Sequence, residues 1–159
     1  MKPKFSKAYM DTAKIFAELS SARRLHVGAI VVKDDRIISI GYNGLPAGWD
    51  NDCETRVYAT EWSIDNAHWE YQEEDSGVPY NLKTKPEVLH AETNAIAKLA
   101  KSSDSGLGAD LFVTHSPCLD CAKLVYQSGI RRVFYNSNYR SSEGVDFLTR
   151  SGVEVIQIE

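Results

Sequence analysis

A chain of 159 residues, 43% of them hydrophobic, can bury one good core but is too short to divide comfortably into two, so we expect a single domain over residues 1–159. The net charge of −4 argues against a general polyanion binder, because non-specific nucleic-acid binding needs many Lys and Arg contacts to phosphates. Three cysteines are too few for a disulfide scaffold, and the sequence shows neither a signal peptide nor an apolar run of roughly 18 residues. These features predict a cytoplasmic protein with no membrane partner and no stable nucleic-acid partner.

The first predicted element is an amphipathic helix that begins after Ser6, a plausible N-cap, and runs to about Ser20. Helix-compatible residues recur there at three- and four-residue steps. Two β-branched runs follow at residues 27–32 and 36–41, and the short turn between them indicates a hairpin. We expect the first of these strands to be buried on both faces.

The stretch from residue 42 to 89 breaks this regularity. It holds all three tryptophans, and nine acidic residues stand against one arginine between positions 50 and 75. A structureless connection of that length would be unusual in a compact domain. We therefore interpret residues 49–86, approximately, as an acidic, aromatic-containing insertion with a short helix of its own. The tryptophans are Trp49, Trp62 and Trp69.

Beyond the insertion, helical and extended patterns alternate to the end of the chain. This alternation, together with the hairpin that precedes it, predicts a three-layer α/β/α fold with a mixed central sheet of about five strands and helices on both faces. The predicted elements are a helix at 92–100, a strand at 110–114, a helix at 119–128, a strand at 132–135, a helix at 143–149 and a strand at 153–158.

Cys118 and Cys121 stand at the point where a predicted strand gives way to a helix, in the order Pro-Cys-Leu-Asp-Cys. Residues three apart on a helix share a face, so both thiols could reach one metal ion. Backbone N–H groups at a helix start also favour the thiolate. A bare Cys-x-x-Cys leaves two alternatives open, namely packing without a metal and a thioredoxin-like redox pair.

His90 and Glu92 form a His-Ala-Glu sequence at the start of another predicted helix. One imidazole and two thiolates leave a tetrahedral zinc with its fourth position open to water, which is a catalytic coordination number. His-x-Glu followed by Pro-Cys-x-x-Cys is the established signature of zinc deaminases. We predict one zinc held by His90, Cys118 and Cys121, with Glu92 outside the ligand set as the proton shuttle.

Four sequence blocks together resemble the deoxycytidylate (dCMP) deaminases of the cytidine deaminase superfamily. They lie at residues 27–34, 41–48, 90–96 and 114–121, and the resemblance covers nearly the whole chain apart from the acidic insertion. It implies a cytidine deaminase-like fold and hydrolysis of dCMP to dUMP and ammonia, a reaction that supplies thymidylate synthesis. It also implies a homo-oligomer, with a hexamer favoured, activated by dCTP and inhibited by dTTP.

The resemblance further implies roles for individual residues. Asn43 would hydrogen-bond the substrate sugar, and Ser116 and Tyr139 would contact the substrate. Gly44 and Gly48 would let the backbone approach phosphates, and Arg24 is associated with phosphate groups. A triphosphate effector would bind there as its Mg²⁺ complex. Ordinary structural roles remain open for these residues: a turn for the glycine block, a half-buried loop aromatic for Tyr139, and a solvated helix-end cation for Arg24.

The chain departs from many similar enzymes at a second, structural zinc. Ala22 occupies the place of one cysteine ligand, and Cys53 lies one residue away from the place of another. Because a structural site needs four good ligands, we expect this second zinc to be absent. Cys53 and His68 are then ordinary residues of the insertion.

Two other functions remain open at this point. The same chemistry could act on a base in RNA or single-stranded DNA, but that activity needs a basic groove with stacking aromatics, and the acidic insertion argues against one. Alternatively, the chain could be a zinc module that binds a partner without catalysis. Such a module would have no use for an acid such as Glu92 beside an open metal position.

Overall fold

A computed structural model describes residues 1–61, 63–65 and 67–159 of the chain. Trp62, one of the predicted insertion aromatics, lies outside these residues. Within the described parts of the chain, no helix is both long and apolar enough to cross a bilayer. In chain order the elements are α1 (Pro3–Ala17), β1 (Gly28–Lys33), β2 (Arg36–Tyr42), β3 (Glu54–Tyr58), β4 (Tyr71–Gln72), β5 (Pro79–Thr84), α2 (Ala91–Leu99), β6 (Asp110–His115), α3 (Leu119–Gln127), β7 (Arg132–Ser137), α4 (Glu143–Arg150) and β8 (Glu154–Gln157).

The central sheet has five strands in the order β2-β1-β6-β7-β8. The hairpin strands β1 and β2 are antiparallel, and β1 also pairs antiparallel with β6. The pairs β6–β7 and β7–β8 are parallel, as expected for strands joined through crossover helices. The predicted mixed five-strand sheet with helices on both faces is therefore confirmed.

Strand β1 shows why the sheet needs cover on both sides. Ala29 and Val31 point into a core shared with α2, α3 and α4, whereas Ile30 and Val32 point into a second core shared with α1. All four side chains are at most 2% exposed, which confirms the strand predicted to be buried on both faces. The alternation follows from the two-residue period of a strand.

Helix α1 begins earlier than predicted. Lys2 is its N-cap and Pro3 its first residue, whereas we had expected the helix to start after Ser6. Proline suits the first helical position because its φ is already helical and its missing N–H has no intrahelical partner there. The Ser6 hydroxyl instead donates to the Pro3 carbonyl at 2.9 Å, within the first turn.

The insertion contains a small antiparallel sheet, so the helix predicted within it is wrong for the described residues. Its strand order is β3-β5-β4. Cross-strand aromatic contacts favour this arrangement over a helix: the Tyr80 ring centroid lies 5.6 Å from that of Tyr58 and 5.4 Å from that of Tyr71. These pairs join residues 22 and 9 positions apart in the sequence, and local helical periodicity carries no signal for them.

Candidate active site

Two helix starts meet at one end of the central sheet and bring the predicted metal ligands together. His90 is the N-cap of α2, Cys118 is the N-cap of α3, and Cys121 lies in the first turn of α3. Three or more His, Cys, Asp or Glu side chains could share a metal ion if their ligand atoms lie close together. Among the described residues these three form such a group, and their ligand atoms all lie within 4.8 Å of one another.

The spacing of these atoms fits a tetrahedral zinc. His90 Nδ1 lies 3.5 Å from Cys118 Sγ and 3.3 Å from Cys121 Sγ. Zinc binds sulfur at about 2.3 Å and nitrogen at about 2.0 Å, so tetrahedral angles place such ligand atoms about 3.5 Å apart. The donor set also fits in its chemistry, because one imidazole and two thiolates are the ligands of a catalytic zinc site with one open position.

The Cys118 thiol has the properties of a metal-binding cysteine. Hydrogen bonds from Cys121 and then from His90 lower the pKa of Cys118 to about 4. The same pairing, together with burial, raises the pKa of Cys121. Hydrogen bonding to Cys118 raises the pKa of His90 as well. The shifts favour a thiolate at Cys118 and protons on Cys121 and His90, and the latter protons would be released on metal binding.

Glu92 lies beside this group, in the first turn of α2, and is only 4% exposed. Burial raises the pKa of its carboxyl group to about 7. A carboxyl with a pKa near neutrality can both accept and donate a proton at physiological pH. Its place at the wall of an open cavity makes this proton available to a bound molecule.

Two close backbone approaches fix the ligand-bearing segments. A Cβ at Gly41 would lie 2.1 Å from the Ala91 carbonyl oxygen, and one at Gly144 would lie 2.0 Å from the Pro117 carbonyl oxygen. The first contact seats the start of α2 on strand β2. The second seats α4 on the segment that carries Cys118. Only glycine allows backbones to approach so closely.

The metal group lies in the wall of a cavity of about 730 Å³. This volume is in the range of about 300–1,000 Å³ that is typical of small-molecule sites. Residues from both the central sheet and the insertion surround it. The lining that matters for the chemistry comprises Arg24, Asn43, Glu54, Lys83, Thr84, His90, Glu92, His115, Ser116, Cys118, Tyr139 and Arg140.

The family model for the cytidine and deoxycytidylate deaminase zinc-binding region matches residues 3–137. The chain belongs to this deaminase family. Deoxycytidylate deaminase of Enterobacteria phage T4 is 33% identical over 172 residues, which cover 94% of this chain and 87% of the phage protein. Deoxycytidylate deaminase of Mycobacterium phage D29 is 34% identical over 134 residues, which cover 84% of this chain and 95% of the phage protein.

The fold of this deaminase also matches a solved structure over nearly its full length. The dCMP deaminase from cyanophage S-TIM5, in complex with dCMP and dUMP, superposes with a TM-score of 0.80 and 42% sequence identity. The match covers 99% of each chain. The expected cytidine deaminase-like fold is thereby confirmed.

Three residues with predicted substrate contacts lie at the cavity, but each also makes a bond within the protein. The side-chain amide of Asn43 donates to the Leu25 carbonyl at 2.8 Å and accepts from the Val27 N–H at 2.8 Å. Ser116 Oγ accepts from the Tyr139 N–H at 2.7 Å. The structure thus shows how the side chains of Asn43 and Ser116 and the backbone of Tyr139 are held, and the contacts of these residues to substrate stay predictions.

The predicted phosphate residues do not all lie together. Arg24 lines the cavity, and its guanidinium donates to Thr84 Oγ1 at 3.2 Å. Neither Gly44 nor Gly48 is among the described residues that line the cavity. Gly44 exchanges backbone hydrogen bonds with Leu89, so its N–H is already in use, whereas Gly48 has the positive φ of 89° that favours glycine. An effector role for either glycine stays a prediction.

Four charged residues at the cavity were not predicted from the sequence, namely Glu54, Glu70, Lys83 and Arg140. Lys83 and Glu54 belong to the strands of the insertion, where we expected a helix. The side-by-side pairing of β3 and β5 brings them to the cavity, and no local sequence pattern predicts it. Arg140 had a usable signal, because it directly follows Tyr139 after a strand that ends near the metal group.

Cys53 and His68, the two residues considered for a second zinc, differ in burial and in their contacts. Cys53 is fully buried, and its sulfur lies 3.4 Å from Ser21 Oγ. His68 is exposed, and its backbone carbonyl accepts from Asn81 at 2.8 Å. The absence of a structural zinc stays a prediction.

Proposed function

We propose that this chain catalyses the zinc-dependent hydrolytic deamination of dCMP to dUMP and ammonia. The observation that carries the proposal is the convergence of His90, Cys118 and Cys121 beside the buried Glu92, in the wall of a cavity of nucleotide size. The similar proteins from phages T4 and D29 are deoxycytidylate deaminases, which supports dCMP as the substrate.

The residues at the site suggest separate roles for the zinc ion and for Glu92. Zinc held by one imidazole and two thiolates would supply a water of lowered pKa as the nucleophile for C4 of cytosine. Glu92 would take a proton from that water and pass it to ring N3. It would then take the proton of the hydroxyl now bonded to C4 and deliver it to the exocyclic amine, so that the C4–N4 bond breaks, the C4 carbonyl forms and ammonia leaves.

Three cations at the cavity suit a substrate with a 5′-phosphate. Arg24, Lys83 and Arg140 come from three separate parts of the chain and all line the cavity. Arg140 also lies over the Tyr139 ring, with its guanidinium carbon 5.4 Å from the ring centroid. Charge-assisted contacts to a phosphate are stronger than neutral ones, so a nucleotide should be favoured over the free nucleoside.

We assign the remaining predicted contacts to the sugar and the base. Asn43 keeps one N–H and one lone pair beyond its bonds to residues 25 and 27, and these suit a sugar hydroxyl. Ser116 directly follows the end of β6 and bonds to the Tyr139 backbone, and both residues line the cavity with Glu92, so we assign them to the pyrimidine.

A substrate panel tests the proposed function. Purified zinc-loaded protein is incubated with dCMP, CMP, deoxycytidine and a cytosine-containing oligonucleotide, and the loss of cytosine absorbance is followed. We expect rapid turnover of dCMP and a far lower kcat/KM for deoxycytidine. Preferential turnover of the oligonucleotide would identify a nucleic-acid deaminase, and no turnover of any of the four would identify a non-catalytic zinc module.

We further propose that the enzyme supplies dUMP for thymidylate synthesis in the cytoplasm. We infer a homo-oligomer, with a hexamer favoured, that dCTP activates and dTTP inhibits. The loop after β2 and the neighbouring Arg24 support this regulation, because they could offer a triphosphate a cation and the positive-φ backbone of Gly48, with Mg²⁺ bound to the phosphates. Each effector needs about 1–3 kcal/mol of differential affinity between two states.

Initial rates against dCMP concentration, with and without each triphosphate and Mg²⁺, test this regulation. We expect a sigmoidal curve that dCTP shifts to lower and dTTP to higher dCMP concentration. Hyperbolic curves that neither nucleotide moves would show an unregulated enzyme. Light scattering on the same samples gives the number of chains.

A further inference from the structure

Glu54 is the first residue of strand β3 and carries a buried carboxyl group that the chemistry above does not use. Its side chain is only 1% exposed. Among the described residues, its Oε2 atom is the one buried side-chain oxygen or nitrogen that has no hydrogen-bond partner. Burying a carboxylate with an unused acceptor costs free energy, so this residue is a poor choice for stability alone.

The other oxygen of Glu54 holds the backbone of the segment between α1 and β1. Oε1 accepts from the Arg23 N–H at 2.8 Å and from the Arg24 N–H at 3.2 Å. The Arg23 Nε lies 3.6 Å from Oε2 and gives the carboxylate a partly exposed counter-ion. A carboxylate that accepts backbone N–H groups makes stronger hydrogen bonds than a neutral amide would.

This contact determines where the Arg24 side chain begins. From the clamped backbone, the guanidinium crosses to β5 and donates to Thr84 Oγ1, and Thr84 is the residue paired with Glu54 between the two strands. Arg24, Glu54 and Thr84 all line the cavity that holds the metal group. Glu54 therefore connects the small sheet of the insertion to a cation in the wall of the active site.

A second clamp holds the same segment from the central sheet. The Asn43 amide bonds to the backbone of residues 25 and 27, and Ser20 Oγ donates to the Asn43 carbonyl at 2.8 Å. With residues 25 and 27 fixed on one side, the Glu54 contact removes the remaining freedom at residues 23 and 24. The position of Arg24 then depends on both sheets.

We propose that Glu54 is a positioning residue that aims Arg24 at the phosphate of the substrate. The inference rests on the proposed function, because it assigns the cavity to a nucleotide. Glu54 acts through the Arg24 backbone and does not touch the phosphate itself. Its loss should therefore weaken recognition of the phosphate and leave the chemistry at the base intact.

A comparison of two substrates tests the proposal. Values of kcat/KM for dCMP and deoxycytidine are measured for wild type, Glu54→Ala and the milder Glu54→Gln, each with its zinc content. We expect Glu54→Ala to lower kcat/KM for dCMP about tenfold, mainly through KM, and to leave deoxycytidine within about twofold of wild type. An equal loss for both substrates would show a merely structural role and overturn the proposal.

The double variant with Arg24→Ala isolates the path of the effect. If Glu54 acts through Arg24, then adding Glu54→Ala to Arg24→Ala should lower kcat/KM for dCMP by less than about twofold. Independent, multiplying losses would contradict the proposal. Asp52→Asn is the matched control, since Asp52 also pairs with Arg23, at 3.3 Å, but is exposed and makes no bond to the Arg24 backbone. It should behave as wild type.

Binding measurements separate this proposal from the proposed function. Calorimetry gives the affinities for dUMP and deoxyuridine without turnover. A wild-type protein that binds dUMP more tightly than deoxyuridine but does not convert dCMP would contradict the deaminase assignment. The Glu54 variants could still be compared through their affinity for dUMP. If Glu54→Ala leaves the preference for dUMP over deoxyuridine unchanged, the positioning role is overturned.

Discussion

Glu92 lies beside three metal-ligating side chains without belonging to the set that fits zinc, and burial brings its pKa to about 7. An amide in its place keeps the shape and one acceptor oxygen but cannot carry protons. Glu92→Gln should therefore bind one zinc per chain and lose at least about 100-fold in kcat, since general acid-base catalysis contributes about 10²–10⁴-fold. Zinc analysis and initial rates on dCMP give both quantities.

The control for Glu92→Gln is Asp120→Asn. Asp120 lies between the two cysteine ligands, but its side chain is 88% exposed and pairs with Lys123 at 2.7 Å. The control should keep the wild-type rate. If Glu92→Gln retained more than about a tenth of wild-type kcat, a loss under about 1.4 kcal/mol, Glu92 could not be the essential proton carrier.

The raised pKa of Glu92 also predicts a pH-dependent stability for the metal-free protein. The folded value is about 7 against an ordinary value of 4.5, and burial is the largest cause. A raised folded pKa stabilises the fold below pH 4.5, and this contribution is lost as the pH rises through about 7. Glu92→Gln should therefore gain stability relative to wild type between pH 5 and pH 8, by up to about 3 kcal/mol.

Urea unfolding of both metal-free proteins at pH 5 and pH 8 measures this difference. A gap in unfolding free energy that stays constant between the two pH values would show that Glu92 does not titrate in this window. The wild type with zinc bound should show a smaller pH effect, because a nearby dication favours the ionised carboxylate.

At the scale of elements, the packing of α4 on the segment of Cys118 depends on Gly144. A methyl group there would meet the Pro117 carbonyl at 2.0 Å, and a backbone atom in such a position cannot give way cheaply. We expect Gly144→Ala to lower stability by about 1–3 kcal/mol and to weaken zinc binding, because the segment that holds Cys118 must shift.

Melting temperature and chelator competition for zinc test this packing. Thr149→Ala is the matched control on the same helix, since Thr149 is exposed and bonds only to its own helix, at Val145, through its side chain. Unchanged melting and zinc affinity in Gly144→Ala would show that the close approach does not hold the metal segment in place.

The elements also show which parts of the site the sequence could predict. His90, Cys118 and Cys121 were accessible because each lies at a helix start and their spacing is local to two short motifs. Glu54 and Lys83 were not, because they reach the cavity through β3 and β5, whose pairing joins residues about 30 positions apart. Local periodicity does not report contacts between strands that are distant in the sequence. It therefore predicted a helix where a sheet forms.

At the scale of the whole molecule, the strand order follows from features visible in the sequence. The short turn at Asp34 and Asp35 requires an antiparallel hairpin, and the helices between later strands require parallel pairing. The cavity, in contrast, depends on how the small sheet sits against the central one. That arrangement is set by single contacts such as the one from Glu54 to the backbone of residues 23 and 24.

Zinc titration of metal-free protein, with dUMP formation from dCMP as the readout, tests the central claim most directly. We expect no activity without metal, a linear rise with added Zn²⁺, and saturation near one equivalent per chain. Cys118→Ala should gain no activity over the same range. Formation of dUMP by the metal-free protein, or none at one equivalent of zinc, would contradict a zinc-dependent dCMP deaminase built on His90, Cys118 and Cys121.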